Sequence, residues 1–174
     1  MSNTFEFDPE KALEALVYVV ARIPHGDMYK ALKALYLADK MHLSRYGRFI
    51  YGEVYAALPH GPVPQNAYEA ARALSGERQS SALPESLLRE AIERSGNRLI
   101  ARRGADVDEL SRSDAECLDE AIRDVEYDTF AALKQKTHDS AYCATAPSAV
   151  IEIDAIISTL PEDRQQAVRN YLAL

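Results

Sequence analysis

The sequence predicts a mainly α fold: a compact multi-helix domain carrying a small antiparallel β element of two strands, or three. Three observations predict it. Apolar residues recur at helical spacing through most of the chain, capping residues stand just ahead of those segments, and only two stretches turn aromatic or β-branched in a strand-like pattern. The 174 residues suit one domain, residues 1–174, long enough to bury a core, and a hydrophobic fraction of 47% argues against disorder.

The first helix follows Asp8 as cap, Pro9 at its first position and Glu10 in its first turn. Leu13, Leu16, Val17 and Val20 form its apolar face, and Ile23-Pro24-His25-Gly26 ends it. A second helix runs from its Asp27 cap to about Tyr46, with Gly47 as a left-handed stop. The short break between them predicts an antiparallel pair. Residues 49–58 are rich in aromatic and β-branched types and read as extended, with the strand over 53–58. Pro59-His60-Gly61-Pro62-Val63-Pro64 reads as a rigid turn without a regular element. Helices are predicted over Gln65–Leu74 and Pro84–Ser95, stopped by Gly76 and Gly96. A short strand over Asn97–Arg103 is expected to pair with the 53–58 strand, since a lone strand leaves its backbone groups unpaired. Ser111 and Asp114 resemble a capping pair before a helix carrying Ala115, Leu118, Ile122 and Val125. Asp128 is expected to cap a helix that turns Phe130, Leu133 and Thr137 one way. A loop over Ser140–Pro147 and two closing helices, Ile151–Leu160 and Pro161–Leu172, complete the chain.

The formal net charge of −7 and pI of about 5.1 oppose binding to phosphate backbones. The basic group Arg94, Arg98, Arg102 and Arg103 is followed closely by Asp106, Asp108 and Glu109, so it reads as a solvated face and no nucleic-acid partner is expected. Cys117 and Cys143 fit no zinc or redox spacing, which suggests a reducing compartment. The polar, acidic start lacks the order of a signal peptide, and the longest apolar run, Leu16–Ala21, is too short to span a bilayer. A cytoplasmic protein with no membrane partner is expected.

The second helix holds the polar residues of most interest. Leu32, Leu35, Tyr36, Asp39, Leu43 and Tyr46 fall on one stripe, with His42 at its edge. Asp39 is therefore expected to be a buried carboxylate, costly unless it accepts hydrogen bonds or pairs with a cation. The preferred reading is an internal anchor for a segment such as 59–64. The alternatives are a general acid–base pair, or a zinc set of Asp39, His42, His60 and His138, which no HExxH or CxxC spacing supports. A thiol nucleophile at Cys143 near His138 lacks a setting that would stabilise a thiolate. No phosphate loop or nucleophile elbow is present, and no cofactor is expected.

Leu32-Lys33-Ala34-Leu35-Tyr36-Leu37-Ala38-Asp39 with His42, then Tyr46-Gly47-Arg48, then Tyr55 through Val63, resembles the Panacea domain, also described as SocA-like. That family opens with a KLxKLLYxAxxxH-type helix, continues with YGRP-like residues and ends an extended segment in a YGPV-like turn. Leu118-Asp119, Tyr127 and Leu133 to His138 resemble its LD…Y…L…TH ending, so the likeness covers about residues 27–145 and leaves 146–174 as closing helices. Phe49 stands where the family has proline, Ala57-Leu58-Pro59-His60 where it often has tryptophan, and Tyr142 serves as the aromatic after the TH pair.

The resemblance implies an antitoxin of bacterial, phage or prophage toxin–antitoxin pairs, not an enzyme, that neutralises a neighbouring toxin by direct binding. One branch is a proteolytic adaptor for a ClpXP-type protease, which is the alternative role. It makes Tyr36, Asp39, His42, Tyr46, Tyr55, His60, Gly61, Pro62, His138 and Tyr142 the motif or partner-binding residues. Tyr51, Tyr55, Tyr68 and Tyr142 are candidate aromatic anchors, with core packing the alternative for each.

Overall fold

The computed structural model describes residues 5–77, 79 and 82–174. Among them the chain forms α1 (Pro9–Val20), α2 (Met28–Tyr46), β1 (Tyr55–Leu58), β2 (Gly61–Pro64), α3 (Gln65–Leu74), α4 (Glu85–Ala91), β3 (Ile92–Ser95), β4 (Arg98–Ala101), α5 (Arg112–Val125), α6 (Phe130–Thr137), α7 (Ser140–Ala144), α8 (Ile153–Ile157) and α9 (Glu162–Leu172). The fold is mainly α, with two separate antiparallel hairpins. No helix among the described residues is long and apolar enough to cross a membrane.

The local signals hold at the helix starts. Asp8 accepts from the Lys11 N–H and Asp27 from the Lys30 N–H. Ser111 and Asp114 form a reciprocal capping box, which satisfies two otherwise orphaned donors. Gly47 ends α2 at φ +72°. From Ala12 to Val20 every residue of α1 is buried, so this helix is embedded rather than amphipathic. Each buried leucine or valine there contributes about 1.5–3 kcal/mol.

Several expectations are corrected. Gly61–Pro64 is a strand, not a featureless turn, in register Tyr55↔Pro64 to Leu58↔Gly61. Pro62 and Pro64 alternate, so both missing N–H groups face away from β1 and leave the ladder intact. The helix predicted over Pro84–Ser95 stops at Ala91, and β3 pairs with β4 rather than leaving β4 for the 53–58 strand. Gly96, at φ +60°, opens a Gly-Asn loop of the kind that closes two-residue hairpins, and so joins two strands instead of ending a helix. Thr129, not Asp128, caps α6 through the Ala132 N–H. Residues 140–144 form a short helix capped by Asp139. Tyr46 leaves the buried stripe and is 45% exposed.

Helix α2 is central. It packs on α1, α5, α6, α8, α9 and β2. Its one side joins the larger apolar cluster with α1, α3 and α5. Its other side joins Tyr36 and Leu43 to Phe49, Tyr55, Ile151, Ile156, Leu160 and Val168, so the closing helices cover a second cluster. The chain at 148–151 lies along the outer edge of β1, where the Ala57 N–H donates to Ala149 and the Ile151 N–H to Tyr55. Both edges of β1 are thereby paired.

Candidate functional site

Asp39 is 1% exposed. Its Oδ1 accepts from the Ile50 N–H at 2.7 Å and its Oδ2 from the Tyr55 hydroxyl at 2.6 Å. Burial pushes this carboxyl up to about 7, with the Ile50 and Tyr55 hydrogen bonds opposing the shift and the charges of Glu53 and Asp114 adding to it. Tyr55 lies within 3.3 Å of the Leu35 carbonyl as well. The protonated carboxyl can thus donate to Tyr55 while Tyr55 donates onward to Leu35, so either protonation state is satisfied. Glu53, equally enclosed, accepts from the N–H groups of Val54, Asn66 and Ala67 and from the Asn66 amide. It caps α3 from a distance, a role that Pro64 at the cap position has no side-chain acceptor to perform. Burial raises Glu53 above the ordinary carboxylate range.

About one turn further along α2, one ring nitrogen of His42 contacts the Arg48 carbonyl oxygen at 3.0 Å. The other meets the Ser113 hydroxyl at 3.0 Å and the Asp114 carboxylate at 3.1 Å. Asp114 also receives Lys11 at 2.6 Å, Arg48 at 3.1 Å and its own capping-box N–H from Ser111 at 2.8 Å. It therefore ties α1, α2, the 48–50 segment and α5 together. Burial alone would raise Asp114, but the hydrogen bonds from His42, Lys11 and Ser111 outweigh it and hold the group below the usual carboxylate range. Tyr46 stacks beside His42 with ring centroids 4.7 Å apart.

The proline hairpin has its own anchors. The Lys33 Nζ donates to the Pro62 carbonyl at 2.7 Å, the Tyr29 hydroxyl to the His60 carbonyl at 2.9 Å, and the Tyr142 hydroxyl to the Leu58 carbonyl at 2.8 Å. Alternate carbonyls from 58 to 62 are thus held by side chains of α2 and α7. Gly61, at φ +110°, sits directly over this support: a Cβ there would lie 2.8 Å from Lys33 Nζ and 3.1 Å from Thr137 Oγ1. His138 stacks on Tyr142 at 4.1 Å. Burial, with the charges of Lys134 and Lys33, holds His138 below the ordinary imidazole range. Tyr36 donates to Asp139 at 2.8 Å beside Lys40 at 2.7 Å, and Asp139 in turn caps α7, which carries Tyr142.

Beside the hairpin a groove of about 790 Å³ opens between the start of α2, the β1–β2 turn, α3, the β3–β4 turn and the start of α6. Tyr29, Leu58, Tyr68 and Phe130 are among the apolar residues that line it. Phe130 lies tilted on Tyr29 at 4.5 Å and meets His60 edge-on at 5.5 Å, yet remains 51% exposed. It lies at the rim, while Leu133 and Thr137 of the same helix face are buried.

The structure divides the expected residues into three places. His60, Gly61, Pro62, His138 and Tyr142 meet at the hairpin. Tyr36, Asp39 and Tyr55 lie inside, the two tyrosine rings 5.0 Å apart. His42 and Tyr46 stand with Asp114. Asp39 anchors Ile50 and Tyr55, and Lys33 anchors 59–64. The four residues of the zinc alternative are not assembled, and among the described residues no group of three or more His, Cys, Asp or Glu is placed to hold a metal ion. Tyr51 and Tyr55 are core residues, 3% and 1% exposed, which leaves Tyr68 and Tyr142 as the half-buried members of the aromatic set. Lys33 and Glu53 were not singled out by the sequence reading, and Asp114 was read only as half of a capping pair. For Lys33 a signal was present, since it fills the second lysine of the KLxKLLY-type pattern and stands four residues after Tyr29 on the same helix face.

A family model described as Antitoxin SocA-like, Panacea domain matches residues 32–143. No curated protein and no solved structure matches the chain.

Proposed function

The chain belongs to the Antitoxin SocA-like, Panacea domain family, and from that premise we propose that it neutralises a cognate toxin by direct protein–protein binding in the cytoplasm. The family match over 32–143 carries this reading. The geometry supports it from a second direction. Asp39, His42, Glu53 and Asp114, the buried groups best suited to acid–base work, each have their hydrogen bonds directed at backbone or side-chain partners that hold the fold. The hairpin, clamped at Leu58, His60 and Pro62, presents a pre-organised surface, which lowers the ordering cost of binding.

The test is co-expression with the protein encoded beside it. Growth arrest by that neighbour alone, relieved by this chain, with a complex of the two recoverable after purification, is the expected result. A neighbour that is harmless, or whose toxicity persists with the chain present, overturns the reading. The same cells distinguish inhibition from delivery to a ClpXP-type protease: inhibition leaves the toxin level unchanged, whereas delivery makes it fall only while the protease is present.

A further inference from the structure

We propose that the groove beside the hairpin is the toxin-docking site, and that it accepts a toxin segment in which an apolar or aromatic side chain adjoins an Asp or Glu whose carboxylate pairs with Arg98. This rests on the antitoxin reading and specifies its surface. At about 790 Å³ the groove has the size of a ligand-binding cleft, roughly 300–1,000 Å³. Its walls are mainly apolar and aromatic, and Phe130, which lines it, is 51% exposed. Rigid aromatic side chains around a concave apolar floor are the usual anchors of protein recognition.

Charge selects the occupant. Of the arginines among the described residues, all but Arg98 and Arg123 have a carboxylate within ion-pairing distance. In a chain of net charge −7, where acids outnumber bases, an arginine left without an acid is unusual, and Arg98 is the one that lines the groove. Its Nε donates to the His25 carbonyl at 2.7 Å, which fixes the guanidinium plane and leaves both terminal nitrogens for a carboxylate fork. The support is stiff. His25 is held at φ +59°, and a Cβ on Gly26 would fall onto the Leu99 carbonyl oxygen, so this corner is locked against β4. Asp27, the acid in the groove wall, bridges Arg98 through the backbone, but its carboxylate accepts from the Lys30 N–H as the α2 cap and makes no ion pair with the guanidinium.

The test uses the full chain in two arms. In the first, purified toxin is titrated against wild type, Arg98→Glu, Phe130→Ala and the control Arg123→Glu, all with melting temperatures recorded. Arg98→Glu and Phe130→Ala are expected to weaken binding by about tenfold or more while Arg123→Glu binds as wild type. Folded Arg98→Glu and Phe130→Ala proteins that bind within about twofold of wild type overturn the proposal and leave the antitoxin reading standing. In the second arm, a displayed library of random peptides is selected on the wild-type chain without any toxin, so that this arm reads out even if the antitoxin reading fails. Selected peptides are expected to place an acidic residue beside an apolar one and to lose binding to Arg98→Glu. The chain contains no tryptophan, so a tryptophan-bearing peptide reports its own burial by fluorescence. Peptides without an acid, or indifferent to Arg98→Glu, refute the groove assignment. A dimer of the chain that Phe130→Ala dissociates also refutes it, since a second copy then fills the groove.

Discussion

The Nζ of Lys33, fully buried, donates to the carbonyl oxygen of Pro62 at 2.7 Å. Because Pro62 faces Ala57 at a non-hydrogen-bonded pair, its carbonyl points away from the ladder and needs a donor from elsewhere. Burial lowers Lys33 to about 7, so near neutrality much of it is an uncharged amine, which avoids most of the cost of an unpaired ammonium.

Replacing Lys33 by Met keeps most of the volume and removes the donor. A loss of about 1–3 kcal/mol is expected from the orphaned carbonyl. Lys33→Ala is expected to lose about 2–5 kcal/mol, because it also leaves a cavity. The pH dependence separates the group from its neighbours. A lysine whose folded value is depressed contributes stability that is fully present above the unfolded value, near 10.5, and is lost as pH falls through about 7. Denaturant midpoints of wild type minus Lys33→Met should therefore rise from pH 7 to pH 10. A flat difference refutes the burial of an ionisable amine.

Asp39 and Asp114 should titrate with opposite sign. Burial raises Asp39 to about 7, so its contribution is fully present below the unfolded value and is lost as pH rises through the folded one. Asp114 is held low by its hydrogen bonds, so its contribution is present above the unfolded value and is lost as pH falls. Wild type is expected to exceed Asp39→Asn most near pH 4, with the gap closing by about pH 7, and to exceed Asp114→Asn most near pH 7, with that gap closing in acid. Asp39→Ala, which strands the Ile50 and Tyr55 donors, should cost about 2–4 kcal/mol. Equilibrium unfolding of the variants across pH checks all three, and parallel pH profiles for the two asparagine variants contradict the structure.

These two aspartates also show how far the sequence was legible. The stripe on α2 announced that Asp39 is buried, because helical periodicity is local. It did not announce the partners, since Ile50 and Tyr55 follow 11 and 16 residues later. Asp114 was legible only as a capping residue, because Lys11, His42 and Arg48 reach it from elements far away in sequence. The starts of α1, α2 and α5 were readable for the same local reason: Asp8, Asp27 and Ser111 act within one turn. The hairpins were not. Pro62 and Pro64 break a strand only if they face its partner, and their facing depends on register with β1. Gly96 suits a helix stop and a hairpin loop equally well, and tertiary pairing with β4 decided between them.

Glu53 carries a prediction about α3. Its carboxylate serves the first N–H groups of that helix from across the 53–66 turn. Glu53→Ala is expected to cost about 1–3 kcal/mol through several stranded buried donors, more than an exposed cap would. Glu53→Gln keeps one acceptor and should lose less. Amide hydrogen exchange reads the effect locally: faster exchange at Asn66 and Ala67 in Glu53→Ala is expected, and exchange unchanged at these amides rules out the capping role.

The hairpin clamp and the groove make separable demands on toxin neutralisation. Tyr142 holds the Leu58 carbonyl from behind and is not part of the groove wall, whereas Tyr29 both holds the His60 carbonyl and lines the groove. Tyr142→Phe removes one hydroxyl and should cost about 1 kcal/mol of stability. If pre-organisation of the hairpin matters for binding, toxin affinity should fall by a similar factor, because the bound geometry must then be selected from a looser ensemble. Tyr29→Phe should behave likewise, since the ring stays in place, but Tyr29→Ala removes groove wall and should weaken binding well beyond its effect on the melting temperature. Toxin titrations and melting curves on the three variants decide the matter. Neutralisation that tracks stability alone across all three means that the hairpin and groove support the fold without meeting the toxin.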